Sequence, residues 1–103
     1  YCIHLKKYQN SCMVFERPDP VKDRANRMKH GISLHDAREA FDDPDGFSIL
    51  DQAHSTNEMR LFRFGKVAGR VCTVRFVLRA GKIRILRAGF WRKGRKKYDE
   101  KND

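Results

Sequence analysis

The chain has 103 residues, of which 40% are hydrophobic and 35% charged, as expected for one globular domain. It has no apolar run near the roughly 20 residues of a membrane span and no signal-peptide core, so we expect a cytoplasmic protein without a membrane partner. Residues 60–98 carry 14 Lys or Arg and no Asp or Glu, so the whole net charge of +10 lies in one segment and favours a polyanionic partner.

The N-terminal part predicts a short strand and a well-marked helix. Residues 1–12 have neither a period nor a capping signal, and we interpret them as an extension before a single domain over 13–103. A strand over 14–17 is followed by Asp19 as N-cap, Pro20 at the first helical position and Gly31 as the stop.

This first helix has an apolar stripe, because Val21, Ala25 and Met28 follow each other at helical spacing. The stripe predicts that the helix packs against the rest of the domain by that face. A second helix is expected at once, with Ser33 as its cap and Asp36 completing a capping box. Its end is predicted where Pro44 and Gly46 force a turn.

The remaining chain predicts strands over 47–50, 60–64, 70–78 and 82–88, and a loop over 52–57. The last three form an antiparallel meander, and Ala80-Gly81 reads as a two-residue hairpin turn. That turn places Leu78 opposite Ile83 and Arg75 opposite Leu86. Arg75 and Arg84 then share the sheet face away from the helices, since a slip by one residue would bury Arg84.

These elements predict an α+β fold. Two N-terminal helices are expected to pack on one face of a mainly antiparallel sheet. A short helix over 93–101, which contains Tyr98, is expected to end the domain.

The cysteines indicate neither a metal site nor a disulfide framework. Cys2, Cys12 and Cys72 are odd in number and lack metal-ligand spacing. We expect idle thiols, no bound metal and no cofactor.

Several short motifs, spread over residues 15 to 98, resemble the BrnT family of bacterial type II toxins. The resemblance is carried by Phe15-Glu16, Asp19-Pro20, Lys22, Asn26, Lys29-His30-Gly31, Ala37, Phe41, Asp43-Pro44, Asp51, His54-Ser55, Glu58, Arg60, Gly65 and Ile83-Arg84-Ile85-Leu86. It implies a compact ribonuclease with a RelE-like fold that inhibits translation and growth. It also implies a BrnA-like antitoxin as partner, through which operator DNA would be bound.

A ribonuclease that uses no metal needs a base for the 2′-hydroxyl, cations for the phosphorane oxygens and an acid for the leaving oxygen. For the cations we choose Arg60 and Arg84, whose guanidinium groups bind phosphate bidentately. Glu58 and His54 are alternative bases before the meander, and Tyr98 is a further catalytic candidate.

Further RNA contacts are expected from the basic segment around one tryptophan. Trp91 can stack on an unpaired base or close the edge of the core. The residues expected to bind RNA are Arg75, Arg87, Trp91, Arg92, Lys93 and Arg95.

Two other functions stay open from the sequence alone. The basic segment would equally serve a non-catalytic nucleic-acid-binding module, because charge by itself gives salt-dependent binding. It would also serve a protein-interaction domain whose partner is acidic.

Overall fold

The structure is a computed structural model that describes residues 14–54 and 58–103. The expected extension over 1–12, the domain boundary at residue 13, Cys2, Cys12 and the end of the loop over 52–57 lie outside the described residues. In chain order the elements are β1 (Val14–Phe15), α1 (Pro20–His30), a 3₁₀ helix (Asp36–Phe41), β2 (Phe47–Leu50), a 3₁₀ turn (Gln52–His54), β3 (Arg60–Val67), β4 (Arg70–Arg79), β5 (Lys82–Gly89) and α2 (Arg92–Asn102).

One mixed sheet of five strands dominates the fold, in the order β1-β5-β4-β3-β2. The strands β2 to β5 pair antiparallel, while β1 pairs parallel to β5, with Val14 opposite Lys82 and Phe15 opposite Ile83. The prediction of two helices packed on a mainly antiparallel sheet is therefore wrong. The described N-terminal part has one α-helix, and α2 is as long as α1, with 11 residues each.

The second predicted helix is a 3₁₀ helix instead. Ser33 Oγ accepts from Asp36 N–H at 2.9 Å, as one half of the predicted capping box, but the 3₁₀ helix begins later, with His35 at its N-cap position and no side-chain cap bond. The backbone then continues with tight bonds such as Asp42 N–H to the Glu39 carbonyl at 3.0 Å. The 3₁₀ helix also packs closely on β3, so that a Cβ on Gly65 would collide with the Ala40 backbone. This close packing on the sheet was not readable from the local sequence.

The ends of α1 are as predicted, but its buried face is not. Asp19 Oδ1 accepts from Val21 N–H at 2.9 Å, and Gly31 takes a φ of 77°. The apolar stripe faces solvent, with Val21 76% and Met28 82% exposed. The helix buries Asn26 instead, which bonds the outer edge of β5 through both the carbonyl and the N–H of Ala88, at 3.0 and 3.3 Å.

The β4–β5 hairpin follows the predicted register near its turn and departs from it further on. Ala80 and Gly81 both have positive φ, at 51° and 77°, and Leu78 lies opposite Ile83. A bulge then makes Leu86 an extra residue, so Arg75 lies opposite Arg87 and not opposite Leu86 as predicted.

The core lies between the 3₁₀ helix and the sheet and includes the charged side chain of Arg63. Phe41 packs edge-to-face against Phe15 at 5.3 Å and Phe76 at 5.0 Å, measured between ring centroids. Arg63 is only 2% exposed, donates through Nε to the Ala40 carbonyl at 3.1 Å, and lies 5.6 Å from the Phe41 ring. Arg63 therefore links β3 to the 3₁₀ helix.

Helix α2 covers one end of the opposite sheet face. Gly94 lies so close to Thr73 that a Cβ there would collide with the hydroxyl oxygen. Tyr98 donates its hydroxyl proton to Asp43 Oδ2 at 2.7 Å. The described helices leave the rest of this face uncovered, and none of them is long and apolar enough to cross a membrane.

Candidate nucleic-acid interface

The sheet face opposite the 3₁₀ helix carries four arginines in two neighbouring rows, and Arg79, which lies opposite Lys82, begins a third row. Pairing of β3, β4 and β5 aligns Arg60, Val77 and Arg84 in one row and Phe62, Arg75 and Arg87 in the next. Alternation along the strands sends these side chains away from the 3₁₀ helix. We call the set Arg60, Arg75, Arg79, Arg84 and Arg87 the arginine face.

Glu58, just before β3, is the carboxylate at the first row. Its oxygens lie 3.0 Å from Arg79 Nη2 and 3.7 Å from Arg60 Nη2. The hydrogen bond from Arg79, together with the charges of Arg79, Arg60 and Arg84, holds the pKa of Glu58 below its ordinary value. Glu58 is therefore ionised at neutral pH and is a weak base.

A second carboxylate organises the next row. Asp51 Oδ2 accepts from Arg75 Nη2 at 3.2 Å, and the Asp51 side chain is only 8% exposed. The Arg75 guanidinium also lies 5.9 Å from the Phe62 ring centroid. Arg84 and Arg87, in contrast, form no salt bridge with the carboxylates of the described residues, which leaves them available to an anion.

The predicted RNA-binding residues fall into two groups, in two cavities that share Trp91. Arg75, Arg87 and Lys93 line one cavity with Trp91, on the arginine face. Arg92 and Arg95 line another cavity, together with Trp91 and Arg70.

Trp91 is held by two neighbours, so it has a defined place between these cavities. Its ring contacts His30 edge-to-face at 4.9 Å. It also covers Gly89, where a Cβ would approach the indole to 2.7 Å. Burial, with the nearby charges of Lys29 and Arg87, lowers the pKa of His30, so this contact is made by a neutral imidazole at neutral pH.

Tyr98, one of the predicted catalytic residues, has no described contact with the arginine face. Tyr98 is 5% exposed, and the Lys66 amine lies 5.9 Å from its ring centroid. Lys66 is six residues along β3 from Arg60, which corresponds to about 20 Å. The His54 side chain lies outside the described part of the structure, so its role stays a prediction.

A further cavity of about 600 Å³ borders Arg84 at the outer edge of β5. Its charged lining residues are the cations Arg17, Lys22 and Arg38 and the carboxylates Glu16 and Asp19. Arg84 belongs both to the arginine face and to this cavity. Positive charge therefore continues from the arginine face around the edge of the sheet. Over 14–54 and 58–103, no group of three His, Cys, Asp or Glu residues is placed to hold a metal ion.

Sequence reasoning missed the roles of Arg79 and Arg63. Arg79 ends β4 as an ordinary polar strand residue, and only the fold brings it to Glu58. Arg63 could not be assigned to the core because the register of the β3–β4 hairpin was not fixed. The sequence does contain a signal for this register, because Ala68-Gly69 repeats the turn dipeptide Ala80-Gly81. Ala68 and Gly69 indeed take positive φ, at 53° and 81°.

The comparisons with known proteins identify the family. A family described as "Ribonuclease toxin, BrnT, of type II toxin-antitoxin system" matches residues 19–94. The chain belongs to the BrnT family. The match covers α1, the whole antiparallel part of the sheet and the start of α2. No curated protein matches the chain significantly.

Membership assigns this BrnT chain to a family of ribonuclease toxins that have an antitoxin as partner. The matched residues include Glu58 and the entire arginine face. The basic surface of the sheet is therefore part of the family domain.

Proposed function

We propose that this BrnT protein is a metal-independent endoribonuclease, with its toxin domain over 13–103, that cuts RNA in the cytoplasm and so inhibits translation and growth. The observation that carries the proposal is the row formed by Arg60, Val77 and Arg84, with the Glu58 carboxylate beside it. On a chain of a ribonuclease toxin family, this row offers cations and a proton acceptor at one place.

The main requirement of RNA cleavage is that cations neutralise the negative charge that develops on the phosphate oxygens. The 2′-oxygen attacks the adjacent phosphorus as its proton leaves, and the 5′-oxygen departs with a proton, which gives a 2′,3′-cyclic phosphate. Arg60 and Arg84 flank Val77, so a phosphate over this position would meet a guanidinium on each side. Donors fixed at developing negative charge commonly contribute about 100-fold or more to the rate.

Glu58 and His54 remain the two candidate bases. Glu58 is ionised and adjacent to the cations, but its lowered pKa reduces its strength as a base. His54 would supply an imidazole, the type of side chain most often used as a general base in proteins. Tyr98 is a less favoured candidate, because its hydroxyl is bonded to Asp43.

We further propose that a cognate BrnA-like antitoxin places an acidic segment over the arginine face. The net charge of +14 over residues 60–98 supports this, since complementary charge speeds association and blocks access by RNA. Operator DNA would be bound only by the antitoxin within the complex.

The second candidate is a non-catalytic module that binds RNA or an acidic protein. It is favoured by the engagement of Glu58 with Arg79 and Arg60, which competes with proton acceptance. The basic face would then bind nucleic acid by charge alone.

The deciding experiment is cleavage of a defined single-stranded RNA by purified protein in EDTA. Wild type is compared with Arg84→Ala, Glu58→Gln and the control Arg24→Ala, which removes an exposed arginine of α1. We expect cutting by wild type and Arg24→Ala, and a loss of about 100-fold in Arg84→Ala. Wild-type protein that binds RNA without cutting it would support the binding module instead.

A further inference from the structure

A cavity of about 500 Å³ lies between the arginine face and the start of α2. Its floor is apolar and aromatic, formed by Ile49, Phe62 and Phe64. The Phe62 and Phe64 rings are nearly parallel, with centroids 6.4 Å apart. Trp91 and Gly94 form its α2 side. The size is that of a small-ligand site, and its walls suit a flat ring.

The charged residues that line this cavity are all cations. Arg75 and Arg87 come from the sheet, and Lys93 and Lys97 come from α2. An apolar floor with a cationic rim suits a ligand that has a flat apolar ring and attached phosphates. It suits neither a neutral apolar molecule nor a small anion alone.

Two buried polar atoms at this cavity lack hydrogen-bond partners among the described residues. They are Thr73 Oγ1 and Arg75 Nε, and Thr73 as a whole is 7% exposed. A buried polar group without a partner is costly, so such groups mark places that a bound molecule or water satisfies. A hydroxyl both donates and accepts, so Thr73 can meet either kind of group on a base edge.

The cavity is next to the row proposed to hold the phosphate. Phe62, Arg75 and Arg87 form the row that follows Arg60, Val77 and Arg84 along the strands, a step of two residues or about 7 Å. A nucleotide whose base enters the cavity therefore keeps its own phosphate within reach of Arg60 and Arg84.

We propose that this cavity binds one nucleobase of single-stranded RNA beside the cleaved phosphodiester, with Phe62 and Trp91 contacting the ring and Thr73 reading its edge. The inference rests on the proposed function, because it assumes that RNA is the ligand of the arginine face. It assigns new roles to Phe62, Phe64 and Thr73. It makes the site selective for a base as well as for phosphate.

The test compares two oligonucleotides that differ only in their bases. One is a 2′-O-methyl single strand, which cannot be cut, and the other is an abasic strand of equal length and charge. Affinities are measured by fluorescence anisotropy at several salt concentrations. Phe62→Leu removes the aromatic ring and keeps the apolar volume, while Phe47→Leu is the control on the same face outside the cavity.

We expect wild type to bind the base-containing strand more tightly than the abasic strand. Phe62→Leu should weaken binding of the base-containing strand by roughly 5-fold to 100-fold and leave abasic binding unchanged. Phe62→Trp should retain the preference, and Phe47→Leu should behave as wild type. The salt dependence should stay the same in all three variants, since the phosphate contacts are retained.

The proposed contact between Thr73 and the edge of the base is tested with four homopolymeric RNA strands. Thr73→Val keeps the shape and removes the hydroxyl, so it should change the ranking of the four bases by about 2-fold to 10-fold. Thr73→Ser should keep the wild-type ranking.

The outcomes separate this inference from the proposed function. Salt-dependent binding with equal affinity for base-containing and abasic strands would overturn the base pocket and leave RNA binding intact. Failure of wild type to bind any RNA, with binding of an acidic protein retained, would overturn both.

Discussion

The hydrogen bond between Tyr98 and Asp43 fixes α2 on the sheet, and Tyr98→Phe tests it. The bond to Asp43 Oδ2 is 2.7 Å long, the same oxygen accepts from Lys66 N–H at 2.8 Å, and Asp43 Oδ1 accepts from Asp45 N–H at 2.9 Å. Burial, followed by the Asp43 carboxylate, raises the pKa of Tyr98, so the hydroxyl keeps the proton that it donates.

The expected loss of stability follows from this contact. A hydrogen bond to a charged group contributes about 1.5–3 kcal/mol, and Phe fills nearly the same volume as Tyr. For a domain of this size, the melting temperature should fall by roughly 6–20 °C. Cleavage per folded molecule should change by less than about twofold, because Tyr98 packs near Lys66, about 20 Å along β3 from Arg60.

The effect should also depend on pH. Burial raises the pKa of Asp43, but hydrogen bonds from Tyr98, Lys66 and Asp45 outweigh it and hold the pKa below its ordinary value. Such a carboxylate stabilises the fold above its unfolded pKa of about 3.9, and this contribution is lost as pH falls through the lower folded pKa. Tyr98→Phe should lose less stability on acidification than wild type.

The assay is thermal unfolding followed by circular dichroism at pH 7 and pH 3. Asp43→Asn and the double variant complete a mutant cycle with Tyr98→Phe. Asp99→Asn is the control for charge, because its carboxylate is 64% exposed and reaches Arg95 only at 3.9 Å. If Tyr98→Phe melts no lower than Asp99→Asn, the tether has no energetic role. A rate loss of about tenfold or more in folded Tyr98→Phe protein would instead favour a catalytic role.

Three further predictions concern the core, the α2 contact and the catalytic base. Arg63→Lys should lower the unfolding free energy in urea by about 1.5–3 kcal/mol, because lysine lacks the forked donors that the buried guanidinium uses. Gly94→Ala should lower the melting temperature, since its Cβ would collide with Thr73, and Thr73→Ala should recover part of the loss. The cleavage rate should rise with pH through about 6.5 if His54 is the base, and should be flat above about pH 5 if Glu58 is the base.

Each of these predictions has a matched control. Arg92→Lys makes the same change at an exposed position and should leave urea unfolding unaltered. Lys96→Ala changes an exposed residue of the same helix as Gly94 and should keep the wild-type melting temperature. A pH profile that is identical in wild type, His54→Ala and Glu58→Gln, at equal rates, would exclude both bases.

Local sequence determined the features that depend on near neighbours. Asp19, Pro20 and Gly31 bound α1 as predicted, because caps act within one turn of helix. The Ala80-Gly81 turn fixed the nearby strand register, since the conformation of a two-residue loop aligns its flanking residues. The short motifs over residues 15–98 also indicated the family, which the match over 19–94 confirms.

Tertiary structure decided everything that depends on distant partners. The stripe of Val21 and Met28 is a valid helical pattern, yet α1 turns it to solvent because Asn26 is needed at the open edge of β5. The bulge at Leu86 moves Arg87 opposite Arg75, so two arginines meet in one row. Strand pairing, and the hydrogen bonds that Asn26 makes to the edge of β5, join residues far apart in the chain. The local hydrophobic period does not determine which face of an element is buried or which strand it pairs with.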